Sequence, residues 1–479
     1  MASNQYDVAV IGAGPGGYVA AIRAAQLGAK VAIVEKQYLG GTCLNVGCIP
    51  SKAMLHIAEV MHTVASMGEL GINLPQPPTL DMRKAVEFTA NVVKRMTGGI
   101  GTLMKGNHVD VFDGLGTVDA SHTVTVTRDD SSKGDGAQQQ FHADKIILAT
   151  GSVPLMPPFP GIDGRNVINS DTCWHLPKLP ESVICVGGGV IGVELACMFH
   201  GLGSRVTIIE MLPNLLAPVD DEVRTLLVRS LGKRGITIAT NATVESIADD
   251  GNMKKVTAST PQGKKNFTGE YVLVAVSRRA NTSGLERLME QGLAHDRGRV
   301  RVNEKMETNL PGIYAIGDLV HGAGLAHVAS TEGEVAADNA MGHETRMDYD
   351  VVPNPIYTFP EVGFVGLTEA QAKEKDPNVR VERFPWVANG KAVGSANTEG
   401  FTKVILGKHN EIVGAHIIGP DATNLITEYS LAMRGELTGD EIIETIHPHP
   451  TLSEGLREAV LAAEGRPIHI PPKQAARAR

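Results

Sequence analysis

Two cysteines near the amino end of the chain have a spacing that suits redox chemistry. Cys43 and Cys48 stand in the stretch GGTCLNVGCIPSK, which occupies residues 40–52. A disulfide needs Cα atoms about 4.4 to 6.8 Å apart, whereas five residues of extended chain span more than ~15 Å. The two cysteines can therefore pair only if this segment is coiled, and Gly47 gives the backbone that freedom. Pro50 favours the first turn of a helix, and a helix N-terminus stabilises a reactive thiolate.

Redox chemistry is not the sole role that Cys43 and Cys48 could have. The cysteines could be reduced structural thiols, or they could form half of a metal site. A metal site is disfavoured because no second Cys or His pair at ligand spacing lies nearby, so we expect no metal. The remaining cysteines, Cys173, Cys185 and Cys197, have the character of small buried apolar residues, and an odd total of five does not indicate a disulfide framework.

A repeated motif supplies elements that could position such thiols. The key positions are Gly12, Gly14, Gly17 and Glu35, which recur as Gly187, Gly189, Gly192 and Glu210, each 175 residues later. Each copy combines an apolar strand, a GxGxxG turn, a helix and a second strand that ends in the carboxylate, which is typical of a dinucleotide-binding βαβ unit. The glycines permit a tight turn, close approach of a pyrophosphate and close helix packing. The carboxylate suits ribose hydroxyls and repels a 2′-phosphate, so the second copy should prefer NAD to NADP. The alternative to nucleotide binding is that the glycines only allow close packing and the glutamates are solvated strand ends.

A histidine close to the carboxyl end could supply acid–base chemistry. His449 lies between two prolines that stiffen it, and disulfide exchange needs a base that removes a thiol proton near neutral pH. Glu454 could instead have a purely structural role, because Thr451 and Glu454 fit a T-x-x-E capping box ahead of a helix predicted at 455–464.

The intervening patterns predict an α/β fold. Late apolar strands at 145–151 and 271–277 complete two Rossmann-like domains, and each domain carries an antiparallel excursion. The Pro-rich stretch 153–160 indicates a linker. From residue 351 onward the pattern predicts strands, followed by helices from Asn424.

Composition and charge disfavour several classes of function. The chain has 479 residues, of which 42% are hydrophobic and 20% charged, and this length fits two to four domains. The net charge is −9, so the chain does not have the excess of basic residues that nucleic-acid binding needs. The apolar run 183–199 is too short to span a membrane and contains Glu194 and several glycines. Because MASNQYD lacks the features of a signal peptide, we expect a cytoplasmic protein with no nucleic-acid or membrane partner.

These motifs resemble those of the pyridine nucleotide-disulfide oxidoreductases, and the likeness covers nearly the whole chain. The matching stretches are GAGPGG at 12–17, ATGS at 149–152, GGGVIGVELA at 187–196, YAIGD at 314–318, LAH at 325–327, PEVGFVG at 360–366 and HPHPTLSE at 447–454. The resemblance implies tightly bound, non-covalent FAD, NAD as the second nucleotide and a C-terminal α+β dimerisation domain. The expected domains are FAD-binding 1–152, NAD-binding 153–280, a central domain 281–350 that completes the FAD site, and the interface domain 351–479.

The resemblance also implies roles for individual residues. Cys48 corresponds to the sulfur nearest the flavin and Cys43 to the interchange thiol. His449, oriented by Glu454, corresponds to a base that reaches into the active site of the other subunit, so a homodimer is expected, while His447 is expected to be structural. The expected FAD contacts are Gly12, Gly14, Gly17, Glu35, Lys52, Gly116, Thr150, Asp318 and Ala326. The expected NAD contacts are Gly187, Gly189, Gly192, Glu210 and Val244, with Glu194 as the ion-pair partner of Lys52.

Within the family, GGTCLNVGCIPSK is closely similar to the stretch found in members that oxidise dihydrolipoamide. This likeness implies lipoyl domains and the E2 core of 2-oxo acid dehydrogenase complexes as partners. A glutathione reductase is disfavoured because Glu210 lies where an NADP enzyme would have cationic residues. A mercuric reductase is disfavoured because the tail PPKQAARAR lacks a cysteine pair, and a transhydrogenase because it would not need both Cys43 and Cys48. A mainly structural flavoprotein subunit is the alternative from another class. Ser277 stands where the family usually has Gly, and we expect this difference to alter NAD affinity.

Overall fold

The computed structural model describes residues 5–128 and 138–472, so part of MASNQYD and most of PPKQAARAR lie outside the described residues. The chain divides into two compact units. The first unit comprises residues 1–158, 167–179 and 273–348, and the second comprises residues 159–166, 180–272 and 349–479. The four domain boundaries expected from the sequence remain predictions.

The first unit is built on a seven-stranded sheet. Its strands run in the order Asp110–Asp113, Val31–Glu35, Gln5–Ile11, Gln138–Leu148, Thr123–Thr127 and Leu115–Val118, and Ile313–Ala315 pairs in parallel with Gln138–Leu148. Among the parallel strands, Gln5–Ile11, Val31–Glu35 and Ile313–Ala315 are mostly buried, as expected for strands covered on both faces, whereas the edge strand Asp110–Asp113 is exposed. Their apolar side chains form a core with Phe141, Leu285 and Leu319.

Helices flank this sheet, and the first unit also contains several short strands that are not part of it. The helices are Pro15–Gln26, Gly41–Asn45, Cys48–Ser66, Met82–Gly106, Glu286–Glu290 and Ala326–Ala340, and the other strands are Ser152–Pro154, Val167–Asn169, Arg278–Ala280, His295–Asp296 and Arg299–Val300. Helices Pro15–Gln26 and Ala326–Ala340 approach closely because Gly16 and Gly333 lie at their contact.

The second unit contains the second nucleotide motif. Strands Ser182–Val186, Arg205–Ile209 and Thr237–Ala239 pair in parallel and are followed or joined by helices Val190–Leu202 and Asp221–Arg234. The antiparallel strands Thr243–Asp250, Met253–Thr260 and Gly263–Gly269 form the predicted excursion. Strand Tyr271–Val274 ends this part of the chain, and it spans the boundary between the two units.

The rest of the second unit is an antiparallel sheet with helices. Its strands run in the order Asn354–Ile356, Glu361–Gly366, Ile412–Gly419, Phe401–Leu406 and Arg380–Pro385. The helices are Glu369–Lys375, Gly390–Gly394, Ala422–Arg434, Gly439–Glu444 and Glu454–Ala463. Trp386, Tyr429 and Leu456 are buried in the core between them.

The structure confirms the predicted α/β class and corrects three local expectations. Part of the expected linker is the strand Ser152–Pro154, which pairs with Arg278–Ala280. Two helices interrupt the strands after residue 351. The helix predicted at 455–464 begins at Glu454 with Ser453 as its N-cap, so Thr451 does not form the full capping box.

Within the described parts of the chain, every helix is too short or too polar to cross a bilayer.

The contact between the two helices of the first unit generates a stability prediction. A Cβ at Gly333 would collide with the backbone carbonyl of Gly16, whereas a Cβ at Gly99, also inside a helix, has nothing within 4 Å. Alanine favours a helix over glycine by about 0.5 to 1 kcal/mol, so both substitutions share that gain. We expect Gly333→Ala to destabilise the protein by about 1 to 3 kcal/mol.

Urea unfolding followed by circular dichroism measures this difference. Gly99→Ala is the matched control and should leave stability unchanged or slightly raised. Equal midpoints for the two variants would show that the helices can separate without cost.

Candidate active site

The first nucleotide turn depends on glycines at three positions. Gly12 has a φ of +103°, and a Cβ there would collide with the carbonyl of Ala149. A Cβ at Gly17 would collide with the carbonyl of Gly12, while Gly14, the N-cap of helix Pro15–Gln26, has nothing within 4 Å. The helix N-terminus is therefore accessible to a phosphate, and the turn fits a dinucleotide.

Glu35 ties this turn to the strand that follows. One oxygen of its carboxylate accepts a hydrogen bond from the backbone N–H of Ala13 at 2.7 Å, and the other accepts the N–H groups of Gln37 at 2.9 Å and Tyr38 at 3.4 Å. An ionised carboxylate oxygen can accept about two hydrogen bonds. Acceptor capacity therefore remains for the ribose hydroxyls of a bound nucleotide.

The second nucleotide turn repeats the same bonds. Glu210 accepts hydrogen bonds from the N–H groups of Gly188 at 2.6 Å and Leu212 at 2.7 Å. These donors are the counterparts, 175 residues later, of Ala13 and Gln37. Gly187 has a φ of +113°, and a Cβ at Gly189 would have nothing within 4 Å. The duplication therefore extends from residue types to individual hydrogen bonds, and the second turn also fits a dinucleotide.

Gly192 and Val244 complete the residues expected to contact NAD. Gly192 is buried in helix Val190–Leu202. Val244 is half-buried and pairs with Ala258 beside a register shift in the antiparallel excursion. Their role toward NAD stays a prediction.

The other residues expected to contact FAD lie in the first unit. The Thr150 hydroxyl donates to the carbonyl of Asn281 at 2.6 Å. Gly116 is buried, and a Cβ there would lie 3.1 Å from Val34. Ala326 is the first residue of helix Ala326–Ala340.

Asp318 is held by a chain of polar contacts. The Ser152 hydroxyl donates to Asp318 at 2.5 Å, and Arg278 donates to the same hydroxyl at 2.8 Å. Arg278 also pairs with Asp171 at 2.7 Å. Ser277, the departure from the family pattern, does not have a positive φ, so serine fits this position without backbone strain.

The two cysteines meet at the start of a helix. Cys48 is the first residue of helix Cys48–Ser66, and Cys43 lies in the short helix Gly41–Asn45. The thiol of Cys43 hydrogen-bonds to the side chain of Cys48, and this contact, together with burial, raises the pKa of Cys43. A Cβ at Gly47 would lie 3.3 Å from the Cα of Cys43, so glycine lets the chain coil between the sulfurs.

The segment that carries the cysteines packs against the first nucleotide turn. The N–H of Gly40 donates to the carbonyl of Ala13 at 2.8 Å, and a Cβ at Gly41 would lie 2.7 Å from the Cα of Gly14. Both glycines have positive φ angles, +87° and +56°. The thiols are thus fixed beside the site that fits a dinucleotide.

Two aromatic residues that sequence reasoning missed lie close to this segment, and one of them is bonded to it. The indole N–H of buried Trp174 donates to the carbonyl of Val46 at 2.7 Å. Tyr18 lies near the thiols, because burial and then Cys43 raise the pKa of its hydroxyl. Trp174 is 128 residues from its partner, so no local pattern could have identified it.

Lys52 lies one turn after Cys48, and its positive charge opposes the rise in the pKa of Cys43. Glu194 is buried in the second unit and accepts the backbone N–H of Tyr357 at 2.8 Å. The expected ion pair between Lys52 and Glu194 stays a prediction.

In the second unit, His449 and Glu454 form a hydrogen-bonded pair. Nδ1 of His449 lies 2.9 Å from one oxygen of Glu454, whose other oxygen accepts the N–H of Thr451 at 2.8 Å. Burial acts to raise the pKa of Glu454, but the hydrogen bonds from Thr451 and His449 outweigh it and lower the pKa overall. The imidazole is 79% exposed and can reach a neighbouring molecule.

The structure therefore brings the expected residues together in three groups. Cys43 and Cys48 meet beside the first nucleotide turn, the second turn stands in the second unit, and the histidine pair lies on the surface of that unit.

Comparisons with known proteins place this arrangement in a family. The pyridine nucleotide-disulphide oxidoreductase model matches residues 6–333, and the dimerisation domain of the same family matches residues 352–460. A dihydrolipoyl dehydrogenase of Geobacillus stearothermophilus is 40% identical over 97% of both chains. One from Bacillus subtilis is 40% identical over 98% of this chain and all of the relative.

The fold agrees with these matches. The crystal structure of LpdA from Mycobacterium tuberculosis superposes with a TM-score of 0.87 at 25% identity, covering 95% of this chain and 98% of the other. This chain belongs to the pyridine nucleotide-disulphide oxidoreductase family.

Proposed function

We propose that this chain is a homodimeric enzyme that oxidises protein-bound dihydrolipoyl groups, with FAD and NAD as cofactors. The observation that carries the proposal is the contact between the thiols of Cys43 and Cys48 at a helix N-terminus, packed against a turn that fits a dinucleotide. Full-length likeness to dihydrolipoyl dehydrogenases supports the substrate.

The reaction begins with proton removal by His449. Glu454 accepts a hydrogen bond at Nδ1, so that nitrogen holds the proton and Nε2 is the basic site. The dimerisation domain supports a model in which this imidazole serves the thiols of the partner subunit. Nε2 takes the proton of a substrate thiol, and the thiolate formed attacks Cys43 in the Cys43–Cys48 disulfide.

Two exchange steps then move two electrons. The attack forms a mixed disulfide between substrate and Cys43 and releases Cys48 as a thiolate, which the helix N-terminus stabilises. The second substrate thiol then attacks the substrate sulfur that is bonded to Cys43, and its proton passes to the Cys43 sulfur as that sulfur leaves. The oxidised lipoyl ring is released, and Cys43 remains as a thiol, Cys48 as a thiolate and His449 as an imidazolium. FAD, which the residues of the first nucleotide turn would hold beside this pair, would supply the two-electron chemistry that carries the electrons from Cys48 to NAD.

The cofactor sites follow from the two turns. In this proposal Gly12, Gly14, Gly17, Glu35, Gly116, Thr150, Asp318 and Ala326 hold FAD together with Lys52, and Gly187, Gly189, Gly192, Glu210 and Val244 hold NAD. The chain acts in the cytoplasm as the shared dehydrogenase of 2-oxo acid dehydrogenase or glycine-cleavage complexes, where it meets lipoyl domains and the E2 core.

One assay tests this proposal against its rivals. Purified protein should form NADH from dihydrolipoamide, and it should not use glutathione or mercuric ion with either NADH or NADPH. Titration with dihydrolipoamide should also produce a thiolate-to-flavin charge-transfer band, which a purely structural flavoprotein need not show. Absence of both signals would refute the proposal.

Replacing one sulfur should stop turnover without removing the flavin. We expect Cys48→Ser to abolish dihydrolipoamide oxidation because no disulfide can form, while the visible flavin spectrum persists. Cys185→Ala is the matched control, since Cys185 is fully buried in strand Ser182–Val186 and lies outside the pair. Retained turnover in Cys48→Ser would contradict the mechanism.

Removing the base should slow only the dithiol half of the reaction. We expect His449→Gln to lower dihydrolipoamide turnover by about 10² to 10⁴-fold, because the proton has no acceptor. Reduction of an artificial electron acceptor by NADH bypasses the thiols and should persist. His409→Gln, on an exposed turn of the same unit, serves as the control, and a matching loss there would point to a general effect on folding.

The duplicated carboxylates offer a matched pair of variants. We expect Glu35→Gln to weaken flavin retention and Glu210→Gln to raise the KM for NAD, because an amide accepts fewer hydrogen bonds than a carboxylate. Each variant is the control for the other, with flavin content and NAD kinetics measured on both. If both variants changed the same cofactor, the assignment of the two turns would be wrong.

A further inference from the structure

His447 stands two residues before the proposed base and has an unusual set of partners. Its Nε2 lies 2.8 Å from a carboxylate oxygen of Glu428, and its Nδ1 lies 2.9 Å from the backbone carbonyl of Thr445. The side chain is only 6% exposed, so the ring itself has little contact with water. Both ring nitrogens therefore face oxygen atoms that can only accept.

This geometry determines the charge of the ring. A neutral imidazole carries one N–H and can satisfy one acceptor, whereas an imidazolium carries two and satisfies both. A neutral His447 would place a nitrogen lone pair against an oxygen in a buried site. The two contacts are complete only when His447 is protonated. His449, by contrast, has an acceptor at Nδ1 alone and keeps Nε2 for a proton.

The contacts of His447 join two parts of the second unit. Glu428 belongs to helix Ala422–Arg434, and Thr445 is the residue that ends helix Gly439–Glu444. His447 therefore fixes the start of the segment 445–450 to a helix in the core. At its other end this segment is held by the bond from His449 to Glu454.

We propose that protonated His447 and Glu428 form a positioning pair that holds the segment carrying His449 in its working geometry. The inference rests on the proposed function, because it assigns the pair a purpose only if His449 is the base. His447 itself exchanges no proton with the substrate. It acts through the backbone that it anchors.

The surrounding charges agree with this role. The hydrogen bond that His447 donates to Glu428 is the largest influence and raises the pKa of His447, while burial and the positive charge of Arg457 on helix Glu454–Ala463 act in the opposite direction. A raised pKa means that the stabilisation is complete below the unfolded value of about 6.5 and is lost as the pH rises through the folded value.

Four forms of the full-length holoenzyme test the pair: wild type, His447→Gln, Glu428→Gln and the double variant. We expect each single variant to lower kcat for dihydrolipoamide oxidation on the order of tenfold, since small misplacements of a catalytic group are costly. The double variant should lose no more than the worse single variant, because the two residues act as one unit. His409→Gln should match the wild type.

Two further measurements separate positioning from folding. NADH-driven reduction of an artificial acceptor needs no His449 and should stay within about twofold of the wild type in every variant. The gap in melting temperature between wild type and His447→Gln should be largest below about pH 6.5 and should shrink at alkaline pH.

Each outcome decides the inference. If the wild type oxidises dihydrolipoamide and both single variants keep its kcat, the pair has no positioning role. Proportional loss of both activities would reduce His447 to a folding residue and overturn the inference. A wild type that does not oxidise dihydrolipoamide would refute the proposed function itself, and this inference with it.

Discussion

Contact between two thiols beside a nucleotide turn is the constraint on which the rest of the structure depends. Cys43 and Cys48 are separated by a coil that only a glycine at position 47 permits, because a side chain there would crowd the Cα of Cys43. Positive φ angles at Gly40 and Gly41 bring this coil against the first nucleotide turn. Backbone conformation, more than side-chain packing, therefore sets the distance between the thiols and the cofactor site.

The two nucleotide turns show how strongly a short sequence can specify local geometry. Glu35 accepts three backbone N–H groups and Glu210 accepts two, and both donors to Glu210 stand at positions equivalent to donors of Glu35. Neighbouring sequence differs between the copies, yet the bonds recur, since strand, glycine turn and helix leave the chain few alternatives. In the proposed function the same unit serves two nucleotides, because the carboxylate both braces the turn and retains acceptor capacity for a ribose.

Local patterns could predict these turns, the first strands and the coil of the cysteine segment, since each depends on residues close in sequence. They could not predict Trp174, whose bond to Val46 closes a long loop, or the pairing of Ser152–Pro154 with Arg278–Ala280. The capping box formed only in part: Glu454 accepts the N–H of Thr451, but its other oxygen binds His449, and Ser453 rather than Thr451 is the N-cap of the helix. Two local contacts of Glu454 thus compete, and the sequence pattern alone does not show which one prevails.

The protonation of the thiols explains why the site needs a separate base. The expectation that a helix N-terminus would yield a reactive thiolate applies to Cys48, which begins the helix. Cys43 lies outside that helix, and contact with Cys48 and burial raise its pKa, so it stays a thiol that donates toward its neighbour. An anion on one sulfur disfavours a second anion on the other. Exchange through Cys43 therefore requires a group that can accept and return a proton near neutral pH, and an imidazole held by a carboxylate at Nδ1 has that property.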